Sequence, residues 1–134
     1  MTGSYPKTRL RRTRASGWSR SMHRETLLSP ADLIWPLFVT GGDAEEPIGA
    51  LPGVSRWPLS QIAARAKDAA ALGIPCIALF PNTQADRRSE RGDEALNPDN
   101  LMCRAIRAIK DACGTDIGIL TDVALDPYTS HGQD

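Results

Sequence analysis

Three short apolar runs alternate along the chain with two segments of helical periodicity. The runs occupy residues 33–40, 76–80 and 117–125, and each is typical of a strand that is buried on both faces. The periodic segments follow the first two runs, near residues 60–72 and 97–113. The order strand, helix, strand, helix, strand with short connections predicts a parallel sheet with right-handed crossovers.

Both predicted helices carry recognisable start and stop signals. Ser60 is a candidate N-cap of the first helix, and Gly73 stands where a C′ glycine is expected. Asn97 is a candidate N-cap of the second helix, with Pro98 at its first position, and Gly114 ends it. The apolar faces that these spacings predict are Ile62, Ala66, Ala69, Ala70 and Leu72 in the first helix, and Leu101, Ala105, Ile106, Ile109 and Ala112 in the second.

Two longer stretches between these elements read as loops. Residues 43–58 contain several acidic residues followed by prolines and glycines, which indicates a loop without a strand. Residues 82–96 are polar and charged, and a loop of that length in a compact domain is often mobile and functional.

Three parallel strands and two helices do not make a closed architecture. A parallel sheet normally has both faces covered, and this one would leave faces and two edges open. We therefore expect an N-terminal arm over residues 1–32 and a partial α/β barrel or doubly wound sheet over residues 33–134, truncated after its third strand. The sequence therefore has the pattern of the N-terminal part of a longer α/β domain.

The charge of the chain is unevenly distributed, although the 16 basic and 16 acidic residues balance. Residues 1–24 hold seven basic and no acidic residues, so the nine other basic residues face all 16 acidic ones and residues 25–134 have a net charge of −7. This basic arm has few large apolar residues and is expected to be extended or disordered alone. It could be a solvated tail, a nucleic-acid arm or an arm that docks on the acidic body of a neighbouring subunit. Its few aromatic residues and the acidic body argue against nucleic acid.

Composition narrows the class of protein further. The apolar runs are too short for a membrane span, and the basic start is not followed by the apolar segment of a secretory signal. Cys76, Cys103 and Cys113 are odd in number and lack metal-ligand spacing, which argues against a disulfide framework and fits a reducing cytoplasm.

The richest candidate chemistry follows the third predicted strand. Parallel strands place sites at their carboxyl ends, and here the segment carries Asp122, Asp126, Tyr128, Ser130, His131 and Asp134. Asp122, Ala124 and Asp126 alternate, so on a strand they would share a face. Converging carboxylates of this kind suit Mg²⁺ or another hard cation better than zinc. The alternative is a strand end capped by an Asx-turn, with His131 in solvent.

The same segment, residues 121–132 with the sequence TDVALDPYTSHG, resembles the signature of the porphobilinogen synthase (5-aminolevulinate dehydratase) family. Further motifs resemble the family in order and spacing: RLRRT at 9–13, LSPADLIWPLFV at 28–39, PGV at 52–54, LGIP at 72–75, ALFP at 78–81 and EALNPD at 94–99. The resemblance extends over essentially the whole chain.

The resemblance implies a (β/α)8 TIM barrel with an N-terminal arm that wraps a partner subunit in a homo-octamer. It implies the condensation of two 5-aminolevulinate molecules to porphobilinogen with loss of two waters, an early step of haem and tetrapyrrole synthesis. The family binds substrate through two lysines, at least one as a Schiff base, and both come from later strands. Lys7, Lys67 and Lys110 match neither position, so we expect the chain alone to be inactive.

Residue by residue, the resemblance implies a limited site. Asp122 matches an aspartate beside the catalytic centre that can orient substrate or a lysine ammonium, and Ser130 and His131 match the signature. Ala124, Asp126 and Asp134 replace three cysteines of zinc-using members, so thiolate-bound zinc is not expected. Asp126 and Asp134 are instead candidate ligands of Mg²⁺ or another hard cation, and the alternative is a site with no metal. Gln133 departs from a histidine often found there.

A function of a different class is also compatible with the sequence. The short chain could be a remnant or an assembly-modulating module whose basic arm docks on full-length subunits. No nucleic-acid or membrane partner is expected.

Overall fold

A single five-stranded sheet organises the computed structural model, which describes residues 3–9 and 11–134. Its strands are β1 (Ile34–Thr40), β2 (Glu46–Pro47), β3 (Ser55–Pro58), β4 (Cys76–Asn82) and β5 (Gly118–Thr121). Their order across the sheet is β2-β3-β1-β4-β5. All neighbours are parallel except β2 and β3, which are antiparallel. The parallel sheet predicted from the alternation of elements is confirmed.

The longest pairing joins β1 and β4 at the centre of the sheet. Their register runs from Ile34 opposite Cys76 to Thr40 opposite Asn82. On the far side of β4, β5 pairs from Gly118 opposite Cys76 to Thr121 opposite Leu79. Because the strands are parallel, the chain leaves each of them at the same edge of the sheet.

The prediction that residues 43–58 contain no strand is wrong. Residues 46–47 and 55–58 form β2 and β3, and β3 pairs with the last three residues of β1. Hydrogen bonds from Ile48 N to Val54 O (2.9 Å) and from Val54 N to Leu51 O (3.0 Å) close the turn between them. Proline and glycine therefore mark a short hairpin here, at the border of the sheet where proline is tolerated.

Two long helices cover one face of the sheet. They are α2 (Leu59–Ala71) and α3 (Leu101–Cys113), preceded along the chain by a short helix, α1 (Gly17–Met22). The buried core lies between the sheet and these helices and comprises Leu37, Val39, Ile62, Ala66, Ala69, Ile77, Leu79, Met102, Ala105, Ile109 and Ile117. The predicted helix faces are largely confirmed, except that Leu72 is exposed and Met102 is buried.

Both predicted N-caps are misplaced. The first long helix already begins at Leu59 after Pro58, so Ser60 lies inside its first turn. The second begins at Leu101, and its N-cap is Asn100, whose side chain accepts a hydrogen bond from Cys103 N (2.8 Å). Asn97 instead accepts from Asp99 N (2.9 Å) in a local turn. This turn delays the helix by one turn and leaves Pro98 outside it.

The sheet face opposite α2 and α3 is apolar and open among the described residues. Ile34 and Leu120 are 52% and 47% exposed, and they alternate with residues that face the helices. Phe38 and Phe80 stack on this face with ring centroids 5.5 Å apart. The expectation of an uncovered sheet face is confirmed for this part of the chain.

The basic arm is not uniformly extended. Arg12–Arg14 form a 3-10 turn and Gly17–Met22 form α1. The Ser19 hydroxyl donates to Thr13 O (2.9 Å) and Arg20 donates to Arg14 O (3.0 Å), which ties the two turns together. Leu10, part of the arm motif, lies outside the described residues. Over the described chain, no helix combines the length and the apolar character that crossing a bilayer requires.

Candidate active site at the carboxyl edge of the sheet

The carboxyl edge of the sheet collects the residues that follow β1, β4 and β5. These strands end at Thr40, Asn82 and Thr121, so the loops after them lie at one edge. Asp122 is the first residue after β5. The structure thus places it where parallel α/β folds hold their chemistry.

A cavity of about 140 Å³ lies at the end of β5. Asp122 and Asp126 supply its carboxylates, Phe80 and Met102 supply apolar walls, and Tyr128 lines it as well. One wall therefore comes from the strand ends and another from α3. The cavity combines negative charge with apolar surface, as binding sites for small polar molecules do.

The prediction of a strand through residues 117–125 is wrong at its carboxyl end. The strand stops at Thr121, so Asp122, Ala124 and Asp126 do not share a strand face. The Asp122 carboxylate accepts a hydrogen bond from Ala124 N (3.3 Å), an Asx-type turn that diverts the chain from the sheet. This confirms the Asx-turn that was considered as an alternative.

The Asp134 side chain caps backbone amides in the loop that begins at Asp122. Its Oδ1 atom accepts hydrogen bonds from Leu125 N and from Asp126 N, the latter at 3.1 Å. One oxygen of this predicted metal ligand therefore satisfies two backbone amides. A carboxylate engaged in this way is a structural cap of the loop.

The fit of the acidic residues to a metal ion is poor. Among the described residues, no group of three or more histidine, cysteine, aspartate or glutamate side chains is arranged to hold one. A hard cation takes six or more oxygen ligands, some of them from water, and the carboxylates of Asp122 and Asp134 already accept hydrogen bonds from backbone amides. Cys76 lies on β4, whereas Cys103 and Cys113 lie on α3.

Ser130 and His131 contact the loop between β4 and α3. Ser130 N donates to Ser89 O (2.9 Å), and Ser89 N donates to Tyr128 O (3.2 Å). The His131 ring bonds through Nε2 to Glu90 O at 3.1 Å. We call these three hydrogen bonds the Ser89–His131 clasp. They show that the polar loop of residues 83–96 is held against the segment that follows β5.

Tyr128 belongs to the candidate segment after the third predicted strand, but the sequence did not predict that its ring is buried at the site. Its side chain is only 8% exposed and lines the cavity with Asp122. Burial raises the pKa of the Tyr128 phenol, and the nearby Cys103 and Glu94 raise it further. Its place in a polar segment gave no periodic signal of burial, because the turn alone directs its ring inward.

We expect Tyr128 to remain protonated to higher pH in the folded chain than in the unfolded chain. As the pH rises, the phenol of the unfolded chain ionises first, at its ordinary pKa of 10.0. The stability that Tyr128 contributes is therefore fully present below pH 10.0 and is lost as the pH rises through the higher pKa of the folded chain. Tyr128 is the only other tyrosine besides Tyr5, so a Tyr5→Phe variant isolates it. Absorbance of tyrosinate, followed against pH with and without denaturant, measures the difference. Coincident titrations would contradict the burial of the phenol.

A second cavity of about 140 Å³ lies beside the first turn of α3. Thr83, Arg87, Glu94 and Arg104 are among its lining residues, so its charges are mixed. The Thr83 Oγ1 atom is buried and makes no hydrogen bond within the described residues. Neither Asp122 nor a residue of the Ser89–His131 clasp lines this cavity.

Comparison with known proteins shows the family to which the chain belongs. The family model described as delta-aminolevulinic acid dehydratase matches residues 7–134. A protein of that name from Bradyrhizobium diazoefficiens is 52% identical over 127 residues. The chain belongs to the delta-aminolevulinic acid dehydratase family. The family predicted from the signature segment is therefore confirmed.

Other relatives agree with this membership. The chloroplastic delta-aminolevulinic acid dehydratase of Selaginella martensii is 46% identical over 131 residues, and the Chlamydia pneumoniae protein is 39% identical over 127. The match covers 94% of this chain but 36% of the Bradyrhizobium protein. The chain thus spans about a third of the length of the curated relatives it matches.

A solved structure shows the fold to which these elements belong. The delta-aminolevulinic acid dehydratase of Toxoplasma gondii ME49, in complex with the reaction product porphobilinogen, superposes with a TM-score of 0.84 at 39% identity. The superposition covers 92% of this chain and 35% of the other. The sheet and its two covering helices are accordingly part of a TIM barrel, as predicted.

Proposed function

We propose that the protein carrying this chain is a lyase that condenses two 5-aminolevulinate molecules to porphobilinogen with loss of two waters. The observation that carries the proposal is the position of Asp122, at the carboxyl end of a barrel strand and in the wall of a cavity. The family membership and a similar structure that contains porphobilinogen support it.

Asp122 is the residue of this chain that we place nearest the reaction. Its carboxylate is exposed at the cavity and is held by Ala124 N through a single hydrogen bond (3.3 Å). A fixed negative charge there can orient a substrate amine or a lysine ammonium by Coulomb attraction. It would do so with little movement, because the Asx-turn already sets the direction of the side chain.

Within residues 3–9 and 11–134, neither of the two helix lysines lies at this edge. Lys67 lies on α2, and Lys110 lies in α3, where its Nζ donates to Gly114 O (3.5 Å) and Ile117 O (3.4 Å). Ile117 precedes β5, so Lys110 is at the amino edge of the sheet, opposite Asp122. Lys7 is in the basic arm. We therefore propose that the substrate-binding lysines are not among these 134 residues and that the chain alone is inactive.

The open apolar face of the sheet also supports a site whose other residues lie outside this chain. Ile34, Leu120 and the Phe38–Phe80 pair would become interior barrel residues once further strands covered them. Those strands would bring the other flank of the site to Asp122. Half-exposed apolar residues at this density are costly in a finished fold.

The proposal also covers the metal cofactor and the oligomeric assembly of the protein. Mg²⁺ or another hard cation would need ligands besides Asp126 and Asp134, since the described residues hold no group of three or more histidine, cysteine, aspartate or glutamate side chains that could bind it. Thiolate-bound zinc is not proposed, because Ala124, Asp126 and Asp134 replace the cysteines that would bind it. A homo-octamer through the basic arm, and a cytoplasmic location, remain proposals that rest on the family and on the charge of the arm.

Product formation tests the proposed function. The protein as the source cell makes it, given 5-aminolevulinate, is expected to form porphobilinogen, identified by mass spectrometry. The 134-residue chain alone is expected to form none. Porphobilinogen formed by the isolated chain, or its absence with the cellular protein, would overturn the proposal.

A further inference from the structure

The Ser89–His131 clasp joins two segments that are far apart in the chain. His131 and Glu90 are separated by 41 residues, and their hydrogen bond is 3.1 Å long. Beside it, Ser89 and Thr129 form an isolated parallel bridge. The clasp therefore connects the loop after β4 to the segment after β5, and the latter begins at Asp122.

The His131 ring has two partners that fix its tautomer. Its Nδ1 atom accepts a hydrogen bond from Gln133 N (3.3 Å). Gln133 N also donates to Thr129 Oγ1 (3.2 Å). With Nδ1 as an acceptor, Nε2 is assigned the hydrogen and donates it to Glu90 O. Both ring nitrogens therefore have backbone partners.

The loop side of the clasp is braced by its own contacts. The Ser89 hydroxyl donates to Asp93 Oδ2 (2.7 Å) and accepts from Asp93 N (3.0 Å). Gly92 is buried at a φ of +67°, and a Cβ there would meet Thr129 Cγ2 at 3.5 Å and Tyr128 Cβ at 3.7 Å. The loop backbone thus lies directly on the segment after β5, at a position that favours glycine.

From these contacts we infer that His131 is a positioning residue: its Nε2–H fastens the loop of residues 83–96 to the segment that carries Asp122 and Tyr128. The clasp holds that segment away from the sheet and in the wall of the cavity. The expectation that Ser130 and His131 are catalytic stays a prediction, and the clasp gives His131 a different role that can be tested against it. The inference deepens the proposed function, and only its activity measurement rests on that function.

Two substitutions of His131 separate its two nitrogens. In His131→Gln, the amide nitrogen can take the place of Nε2 and still donate to Glu90 O. In His131→Asn, the shorter side chain can accept from Gln133 N but cannot reach Glu90 O. Rescue by glutamine and not by asparagine is the specific signature of the clasp.

Trypsin reports whether the loop is fastened, because the loop contains Arg87, Arg88 and Arg91. In the protein as the cell makes it, His131→Asn is expected to raise the rate of cleavage after these residues about fivefold, the effect of losing one hydrogen bond. His131→Gln is expected to stay within about twofold of the unchanged protein. Glu90→Ala is the matched control, since the clasp uses only the Glu90 carbonyl and not its side chain.

Two outcomes would overturn the inference. In the first, both His131 variants are cleaved at the rate of the unchanged protein. In the second, both variants are cleaved faster than the unchanged protein and at the same rate as each other. Hydrogen exchange of the unchanged protein gives a measurement that needs no variant. The amides of Ser89 and Ser130 are expected to exchange at least about tenfold more slowly than in the unfolded chain. Exchange at the unfolded rate would also overturn the inference.

Steady-state kinetics separates positioning from chemistry. His131→Asn is expected to lower kcat/KM for 5-aminolevulinate about tenfold, because a displaced wall weakens orientation of the substrate. His131→Gln should restore kcat/KM to within about twofold. A loss of kcat that is equal in both variants would identify the imidazole itself as catalytic and contradict the clasp. If no porphobilinogen forms at all, the proposed function fails while the trypsin result still stands.

Discussion

Asp122→Asn is expected to reduce porphobilinogen formation at least about a hundredfold, with the loss mainly in kcat. Asparagine can still accept the hydrogen bond from Ala124 N that holds residue 122 in its turn. The substitution therefore removes the negative charge and leaves the local backbone unchanged. A loss of this size would identify the charge of Asp122 as the group that orients the reacting amine.

Asp116 provides the matched control for the loss of a carboxylate. It is exposed and precedes β5, so it lies at the amino edge of the sheet, away from the cavity. Asp116→Asn is expected to keep kcat within about twofold, because a surface charge at that distance is screened by solvent. Similar losses from both substitutions, measured in parallel at saturating 5-aminolevulinate, would contradict a specific role for Asp122.

Ile109→Ala is expected to lower the free energy of unfolding by about 3 kcal/mol. Ile109 is fully buried in α3, within the core between the helices and the sheet. Truncation removes the transfer free energy of three carbons and leaves a cavity between α3 and the strands. Denaturant unfolding followed by circular dichroism measures the change.

The control for Ile109 lies on the same helix. Asp111 is exposed near the carboxyl end of α3, where a negative charge opposes the helix dipole. Asp111→Ala should leave stability unchanged or raise it by a few tenths of a kcal/mol, on the order of one such dipole interaction. If Ile109→Ala cost no more than Asp111→Ala, the described packing of α3 on the sheet would be wrong.

The central strands and both long helices could be predicted because their signals are local. The apolar runs that became β1 and β4 are uninterrupted by charged residues and bounded by glycine or proline. The helix faces follow from spacing, and Gly73 at a φ of +78° ends the first long helix as expected. These features depend on neighbouring residues and need no knowledge of the fold.

The misplaced boundaries have a different origin. Asn97 and Asn100 are both good N-caps, and only the turn at Asn97 decides that Asn100 caps α3. The third strand was extended to Leu125 because residues 117–125 are largely apolar. The Asp122 turn and the Asp134 cap end it earlier, and a sequence pattern does not show which of two competing hydrogen bonds forms.

The site could be located but not assembled from the sequence. Asp122 was identified as a site residue by resemblance, and the structure places it at the carboxyl edge. The clasp could not be predicted, because it joins Ser89 to Ser130 through backbone atoms that any residue possesses. The burial of Tyr128 could not be predicted either, since it depends on the loop that folds over it.

Schiff-base trapping followed by peptide mapping tests directly whether the lysine that binds 5-aminolevulinate lies outside this chain. The protein as the cell makes it is treated with 5-aminolevulinate and borohydride, which reduces a lysine adduct to a stable amine. We expect the adduct on a lysine other than Lys7, Lys67 and Lys110, and we expect Asp122→Asn to lower its yield. An adduct on one of these three lysines would contradict the assignment of this chain as the Asp122 flank of a site completed by other residues.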